Sequence, residues 1–283
     1  MKGHRHQGCQ WRSTHVSTRV YRVCPEFATI KYKYNIPTHV LLCGGFNIEY
    51  VKTCIGALDP LFANGGYPKS STILVLGGPG SGKSIFGMQF ICKGAAEYGE
   101  PGVYVTLDET PKKIKRNVAA FGWDLDALEA ENKIIILDAA SARAGTLSKT
   151  EHSIEAGLDI ISTISQIIKA IKEIGAKRLV IDSLSVMNLP AQTDAQSRTS
   201  MLRLSSALAD MDVTSLVITD AKTSAVGISE FPTEAFVFDG VVTLRLDTDS
   251  QERRISIRKM RGTKHVIGSF RFDISESGIN VMP

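Results

Sequence analysis

The chain has 283 residues, of which 43% are hydrophobic and 22% are charged. These proportions are typical of a globular protein and exclude a wholly disordered, collagen-like or coiled-coil chain. The net charge is +4, but residues 1–50 carry +5 and residues 51–283 carry −1. The body of the protein is therefore nearly neutral, which does not indicate a strongly basic nucleic-acid-binding protein.

Two further observations concern the compartment. The sequence has no run of 18 apolar residues, and no N-terminal apolar segment leads to a small-residue cleavage site. The five cysteines are an odd number without a secretory signal. We therefore expect a cytoplasmic protein with no membrane association.

Residues 1–50 differ in kind from the rest of the chain. They contain three of the five cysteines and four of the six histidines, but no C-x-x-C pair and no matching pair of histidines. A zinc site needs such spacing, so none is predicted here. We expect a disordered basic extension, with two alternatives: translation from upstream of the natural start, or a tail that touches nucleic acid.

From residue 51 onward, short apolar runs alternate with helical patterns. Strands are predicted at Ser71–Leu76, Val103–Leu107, Lys133–Leu137, Arg178–Asp182 and Ser215–Thr219. The first predicted helix follows residue 84 and ends at about Tyr98, and the second begins at Thr110-Pro111 and ends near Phe121-Gly122. A third helix is predicted from the apolar spacing of residues 158–171 and ends before Gly175, and a fourth is predicted over residues 201–211. Continuously apolar strands that alternate with helices predict an α/β domain, with a mostly parallel sheet covered on both faces.

After Asp239 the pattern changes to strict alternation of apolar and polar residues. It turns at Asp247–Gln251, alternates again, and is followed by Ser269–Asp273. This predicts an antiparallel C-terminal hairpin at one edge of the sheet.

Residues 77–84, GGPGSGKS, fit the pattern G-x-x-x-x-G-K-[ST] and lie between a predicted strand and a predicted helix. Glycines let backbone N–H groups curl around phosphates, Lys83 reaches the β- and γ-phosphates, and the Ser84 hydroxyl binds Mg²⁺. The predicted nucleotide-binding residues are Gly77, Gly78, Pro79, Gly80, Ser81, Gly82, Lys83, Ser84 and Ile85.

Acidic residues follow two of the predicted strands. Asp182 ends an apolar strand, where a carboxylate needs a partner, and in a P-loop protein that partner is Mg²⁺. Asp108 and Glu109 end another strand, where one of them can orient or deprotonate an attacking water. Which of the two acids does so stays open, and a pair of solvated loop residues is the alternative.

Two cations end the C-terminal hairpin. Lys259 and Arg261 are two residues apart, so they share one face of a strand and suit an anion, which could belong to a neighbouring subunit. A solvated basic edge strand that resists edge pairing is an equal alternative.

Five motifs, in this order and spacing, resemble the KaiC-like branch of the RecA-type ATPases. They are Gly77–Ser84; Asp108-Glu109-Thr110 followed by Phe121-Gly122-Trp123; Asp182-Ser183; Glu230-Phe231 with Asp239-Gly240-Val241; and Lys259-x-Arg261-Gly262-Thr263-x-His265. The resemblance covers residues 51–283, and the last motif makes it specific. The family's acidic pair is usually Glu-Glu, whereas the first acid here is Asp108.

The resemblance implies a RecA-like P-loop NTPase core with ATP and Mg²⁺ as cofactors. It implies that Lys83 and Ser84 bind phosphate and Mg²⁺, that Asp182 serves the metal, and that Asp108, Glu109 and Lys83 are catalytic. It also implies a hexameric ring in which Lys259, Arg261 and His265 reach the neighbour's ATP.

We therefore expect an ATP hydrolase that works as a nucleotide-switched ring, with a regulatory role and an unidentified protein partner. A RadA-like DNA-handling ATPase and an ATP-gated adaptor with little hydrolysis are the alternatives. The stretches that follow the relevant strands, Asn188–Arg198 and Asp220–Phe236, carry net charges of zero and −2. Tracking of nucleic-acid phosphates needs clustered Lys and Arg, so nucleic acid is not the favoured partner.

Overall fold

The computed structural model describes residues 12–16, 19–23, 48–143, 152–154, 160–184, 194–221, 223–224, 227–228, 234–247 and 249–282. The chain divides into two units, residues 1–47 and residues 48–283. In the first unit, β1 (Arg12–Val16) pairs antiparallel with β2 (Arg19–Val23). The sequence did not predict this hairpin. The predicted disorder of the other residues before 48 falls outside the described residues.

The second unit contains the remaining described strands. They are β3 (Tyr50–Val51), β4 (Tyr67–Pro68), β5 (Thr72–Gly77), β6 (Gly102–Thr106), β7 (Ile134–Asp138), β8 (Arg178–Asp182), β9 (Thr214–Asp220), β10 (Thr223–Ser224), β11 (Gly227–Ile228), β12 (Gly240–Asp247), β13 (Glu252–Met260), β14 (Phe270–Ser275) and β15 (Gly278–Met282).

Nine of these described strands form one sheet in the order β15-β14-β13-β12-β5-β9-β8-β6-β7. The strands from β12 to β7 run parallel to their neighbours. The last three strands, β13 to β15, are added antiparallel at the β12 edge. The mostly parallel sheet with an antiparallel C-terminal hairpin confirms the predicted fold class.

Helices connect the parallel strands. They are α1 (Lys83–Glu97), α2 (Pro111–Ala119), α3 (Leu125–Ala130), α4 (Ala140–Arg143), α5 (Ile160–Ile174), α6 (Asp194–Ala209) and α7 (Glu234–Val237). Gly175, with φ of +62°, ends α5 as predicted, because glycine adopts the left-handed conformation without a steric penalty. None of the helices that the structure describes is long and apolar enough to cross a membrane.

The two faces of the sheet bury separate apolar clusters. Along β5, Ile73 and Val75 point into one cluster, which includes side chains of α1 and α2. Leu74 and Leu76 point into the other cluster, which includes side chains of α5 and α6. Both faces are covered, which explains why the parallel strands are continuously apolar in sequence.

Helix α3 and strand β15 are among the described elements that were not predicted from the sequence. Helix α3 has only six residues and begins after Asp124, whose side chain accepts a hydrogen bond from the Ala127 backbone N–H. Strand β15 follows a tight turn and pairs with β14 through Gly278 opposite Ser275. Both elements are short, so neither has a sustained period in sequence.

Candidate functional site

The glycine-rich loop joins the end of β5 to the start of α1. Gly80 and Gly82 have φ of +71° and +94°, which L side chains rarely adopt. A Cβ on Gly77 would overlap Ser81 Oγ and the Leu244 carbonyl oxygen. Ser81 Oγ donates to the Gly78 carbonyl at 2.7 Å and closes the loop. The loop therefore has the tight curvature that the sequence pattern predicts.

Lys83 begins α1 and folds back over this loop. Its Nζ donates to the carbonyl oxygens of Gly77 at 2.9 Å and Gly78 at 3.0 Å. It also lies 3.1 Å from Asp220 Oδ1, at the end of β9. The lysine charge is thus balanced within the chain. Asp220 was not predicted at the site, and its only signal is its position at the end of a strand.

The next residue, Ser84, meets Asp182 at the end of β8. Ser84 and Asp182 line the same cavity, and Tyr104 Oη donates to Asp182 Oδ2 at 2.6 Å. Burial raises the pKa of Asp182, the hydrogen bond from Tyr104 and the Ser84 hydroxyl oppose that rise, and the Asp108 carboxylate adds to it. Tyr104, within an apolar strand, gave no sequence signal beyond that of a core residue.

The oxygen atoms at this point suit Mg²⁺. A hydroxyl and a carboxylate that line the same cavity supply the hard oxygen ligands that this ion prefers, and Mg²⁺ keeps waters and phosphate oxygens as further ligands. No group of three or more His, Cys, Asp or Glu that could hold a metal occurs in the described part of the chain. Ser84 and Asp182 therefore fit an ion that arrives with a nucleotide.

Asp108 and Glu109 follow β6 and point to different neighbours. The Thr106 hydroxyl fixes the turn by donating to the Glu109 carbonyl at 2.6 Å. The Glu109 carboxylate lies 2.6 Å from Lys113 Nζ and accepts from Asn117 Nδ2 at 3.4 Å. Asp108 Oδ2 instead accepts from Ser183 Oγ at 3.4 Å, next to Asp182. The two adjacent acids are therefore not equivalent.

A cavity of about 650 Å³ opens between α1 and α2. Ser84, Asp182 and the two acids 108 and 109 line it, together with apolar side chains of both helices. Its size lies within the ~300–1,000 Å³ typical of small-molecule sites.

A second cavity on the other side of the loop is lined by Gly80 to Ile85 and by Arg253, whose Nε donates to the Gly80 carbonyl at 3.4 Å. Arg253 was also missed from sequence.

The C-terminal cations lie at the end of β13 and just beyond it. Lys259 Nζ donates to the Phe238 carbonyl at 2.6 Å, and Arg261 Nη1 lies 3.3 Å from Asp239 Oδ1. In the described part of the chain, the side-chain hydrogen bonds of both cations run to residues 235–239, not to the glycine-rich loop. Burial, and then repulsion from Arg261, lowers the pKa of Lys259.

His265 is separate from these two cations. It forms a backbone bridge with Phe62, and its Nδ1 lies 3.3 Å from the Val266 carbonyl. The structure thus brings Lys83, Ser84, Asp108 and Asp182 together. Lys259, Arg261 and His265 instead contact other residues of the same chain.

Three features define a P-loop nucleotide-binding domain of the RecA type. They are a glycine-rich loop between a buried strand and a helix, a strand-end carboxylate that lines the same cavity as the serine of that loop, and a mostly parallel sheet with an antiparallel edge. The family model of the KaiC ATPase matches residues 51–283, and the chain belongs to this family.

The relatives fall into two size classes. A UPF0273 protein of Thermotoga maritima is 35% identical over 239 residues, which cover 83% of this chain and 97% of the relative. The circadian clock oscillator protein KaiC of Synechococcus elongatus is 37% identical over 240 residues, which cover 83% of this chain. The match spans only 44% of that clock protein.

A solved structure shares the fold. The crystal structure of a KaiC-like protein from Pyrococcus horikoshii OT3 superposes with a TM-score of 0.70 at 36% identity. The match covers 83% of this chain and 100% of that chain.

Proposed function

We propose that the chain is a Mg²⁺-dependent ATP hydrolase that acts as a homo-oligomeric ring switched by its nucleotide. One observation carries the proposal: Ser84, at the end of the glycine-rich loop, and Asp182, at the end of β8, line the same cavity. A P-loop site uses this pair of oxygens to hold the ion that accompanies the nucleotide.

On nucleotide binding, Lys83 exchanges its carbonyl and Asp220 partners for the β- and γ-phosphate oxygens. The N–H groups of the glycine-rich loop and the N-terminus of α1 bind the same phosphates. Ser84 and Asp182 would hold Mg²⁺, which supplies charge neutralisation to the phosphates when bound. The cavity between α1 and α2 can take the rest of the nucleotide beside these groups.

Asp108 is the acid to which we assign the role of orienting or deprotonating the attacking water. It faces Ser183 and the Asp182 carboxylate, so it lies on the side of the phosphate-binding groups. Glu109 is paired with Lys113 on α2, so the negative charge of its carboxylate is balanced by that lysine. A water next to Asp108 can be oriented, and its proton accepted, as the phosphoryl group is transferred.

The ring is proposed because the cations at the C-terminal hairpin do not serve the site of their own chain. The Arg261 side chain is 56% exposed, and the neighbouring Phe236 is 67% exposed. An arginine supplied by an adjacent subunit stabilises the charge of phosphoryl transfer. Lys259 and His265 belong to the same proposed contact with the neighbour's ATP.

The alternative of an adaptor that binds ATP and hydrolyses little rests on Asp108, which is one methylene shorter than the glutamate usual in the family. The alternative of a DNA-handling ATPase has little support from charge, since the stretches after β8 and β9 carry net charges of zero and −2. Residues 188–193, 222, 225–226 and 229–233 of these stretches lie outside the described residues.

The test measures Mg²⁺-dependent ATP hydrolysis by the purified chain and its size with ATP, without ATP and with DNA added. Lys83→Ala should remove most ATP binding, and Asp182→Asn should keep partial binding while losing turnover with Mg²⁺. Undiminished hydrolysis in either variant would place the activity elsewhere. Binding without turnover in the unaltered chain would favour the adaptor.

A further inference from the structure

Tyr104 is a buried residue that the mechanism above does not use. It lies in the centre of β6 with 2% of its surface exposed. Its ring packs under α1 at Gly87, where an added Cβ would come within 2.9 Å of Val180 and 3.7 Å of the Tyr104 ring. The glycine lets the helix that carries Ser84 approach the sheet closely, so Tyr104, Ser84 and Asp182 occupy one small space.

The hydroxyl of Tyr104 has one strong bond. The Oη to Asp182 Oδ2 distance of 2.6 Å is in the short range of O–H···O⁻ hydrogen bonds, which are about twice as strong as neutral ones. A carboxylate offers about four lone-pair sites, so Asp182 keeps acceptor capacity beyond this bond. The Ser84 hydroxyl can turn to an incoming ion, whereas Tyr104 is enclosed by the core and keeps its aim.

Another buried tyrosine shows that such a bond is not a general need of this core. Tyr67 is also buried, with 0% exposed, and its hydroxyl has no hydrogen-bond partner in the described part of the chain. The fold therefore accepts one buried phenol without a partner. The Tyr104 hydroxyl, in contrast, is aimed at the carboxylate that the proposed site uses.

We propose that Tyr104 is a positioning residue that fixes the rotation of the Asp182 carboxylate and thereby sets the affinity of the site for the Mg²⁺ of a bound nucleotide. This inference rests on the proposed function. It predicts that the hydroxyl affects the response to Mg²⁺ and leaves the phosphate contacts of the glycine-rich loop unchanged.

The experiment compares Tyr104→Phe with the unaltered chain, using the fluorescent analogue mant-ATP as the probe. Its affinity is measured in EDTA and over a range of Mg²⁺ concentrations. Loss of a residue that orients a metal ligand typically lowers metal affinity by ~10–100-fold. We expect the half-saturating Mg²⁺ concentration to rise about tenfold, at the low end of that range, while the affinity in EDTA stays the same.

Tyr67→Phe is the matched control, because it removes one hydroxyl from an equally buried ring and should leave the Mg²⁺ response unchanged. A double-variant cycle adds a second readout: in an Asp182→Asn background, Tyr104→Phe should have little further effect, since the carboxylate that it positions is gone. Thermal unfolding of each variant monitors the fold.

The outcomes separate the two levels of the proposal. An unchanged Mg²⁺ response in Tyr104→Phe overturns the positioning role and leaves the proposed function intact. An equal loss of affinity with and without Mg²⁺, together with a lower melting temperature, overturns it as well, because the role is then only structural. If the unaltered chain binds mant-ATP with no dependence on Mg²⁺, the proposed function fails, and the inference fails with it.

Discussion

At the scale of single residues, the two adjacent acids differ in what surrounds them. Glu109 is paired with Lys113 one helical turn away, whereas Asp108 is directed towards Ser183 at the end of β8. The side chains of consecutive residues after a strand point in different directions. One acid can therefore contact the helix that follows, while the other contacts the ends of neighbouring strands. The local geometry, rather than residue type, distinguishes them.

Substitution of each acid tests this distinction. Asp108→Asn should lower the turnover of ATP by about 100-fold or more, the lower limit for loss of general-base assistance. Glu109→Gln keeps nearly the same shape and serves as the matched control, with turnover expected within about threefold of the unaltered chain. Steady-state hydrolysis with saturating Mg²⁺ and ATP measures both. A larger loss of turnover in Glu109→Gln than in Asp108→Asn would show that Glu109 is the acid that acts on the attacking water.

The sequence predicted the part of the site that lies within short motifs. The strand–loop–helix pattern predicts the curvature of residues 77–84, and the strand-end acid Asp182 lies in the lining of the same cavity as Ser84. Tyr104, Asp220 and Arg253 were missed because each reaches the site from a distant strand. Such partners depend on strand order, which residue spacing does not specify.

At the scale of elements, the site is a property of strand ends. Most of the described site groups come from the carboxyl ends of β5, β6, β8 and β9 or from the residues just after them, where α/β proteins generally bind ligands. Tyr104 comes from the centre of β6, and Arg253 comes from β13. The apolar runs allowed these strands to be predicted. Helix α3 was not predicted because six residues are too few to show a helical period, and β15 was not predicted because its sequence, GINVM, is not a continuous apolar run.

Arg178 contacts three parts of the chain, away from the strand ends that form the site. Its side chain is 0% exposed, and it is paired with Glu100 at 2.6 Å. Nη1 donates to the carbonyl oxygens of Lys52 and Phe90, each at 3.0 Å, and its Cζ lies 4.4 Å from the Phe90 ring centroid. One guanidinium therefore links β8, the α1 helix and the segment that precedes β4.

Replacement of this cation should be costly. Arg178→Met leaves the Glu100 carboxylate and two carbonyl groups without their partner, and removal of one member of a buried ion pair costs ~3–5 kcal/mol of unfolding free energy. Urea unfolding measures the loss. Arg271→Met, at a side chain that is 57% exposed, is the matched control and should cost less than ~1 kcal/mol. A similar small loss at Arg178 would show that its contacts are not stabilising.

At the scale of the whole molecule, the chain divides into two units, residues 1–47 and residues 48–283. We propose that the domain beginning near Val51 is independent of residues 1–50. A shortened chain that starts at Ile48, the first residue of the second unit, should keep its melting temperature and its ATP affinity within about twofold. Calorimetry and mant-ATP titration measure these. Loss of folding would make the extension structural, and loss of nucleic-acid binding alone would support the basic-tail alternative.

Cooperation between subunits gives the sharpest test of the ring. Arg261→Ala should lower turnover by ~10³–10⁵-fold, the range for an arginine supplied in trans, with a smaller effect on ATP binding. A mixture of Arg261→Ala and Lys83→Ala should regain activity, because some interfaces then combine an intact loop with an intact arginine.

Arg258→Ala, at an exposed arginine of β13 three residues before Arg261, is the control for this experiment and should hydrolyse ATP like the unaltered chain. Light scattering with and without ATP measures assembly in parallel. A chain that stays monomeric at every ATP concentration and still hydrolyses normally would contradict the trans mechanism.

The position of β5 within the sheet also has a consequence for biosynthesis. This strand carries the glycine-rich loop, yet its two neighbours, β9 and β12, are residues 214–220 and 240–247. On the ribosome, a nascent chain contains the complete loop sequence long before either neighbouring strand exists. ATP stabilises only the native state that it binds, so its contribution comes after most of the domain has been translated. The cellular ATP level should therefore protect finished copies of this protein from degradation, and not the unfinished ones.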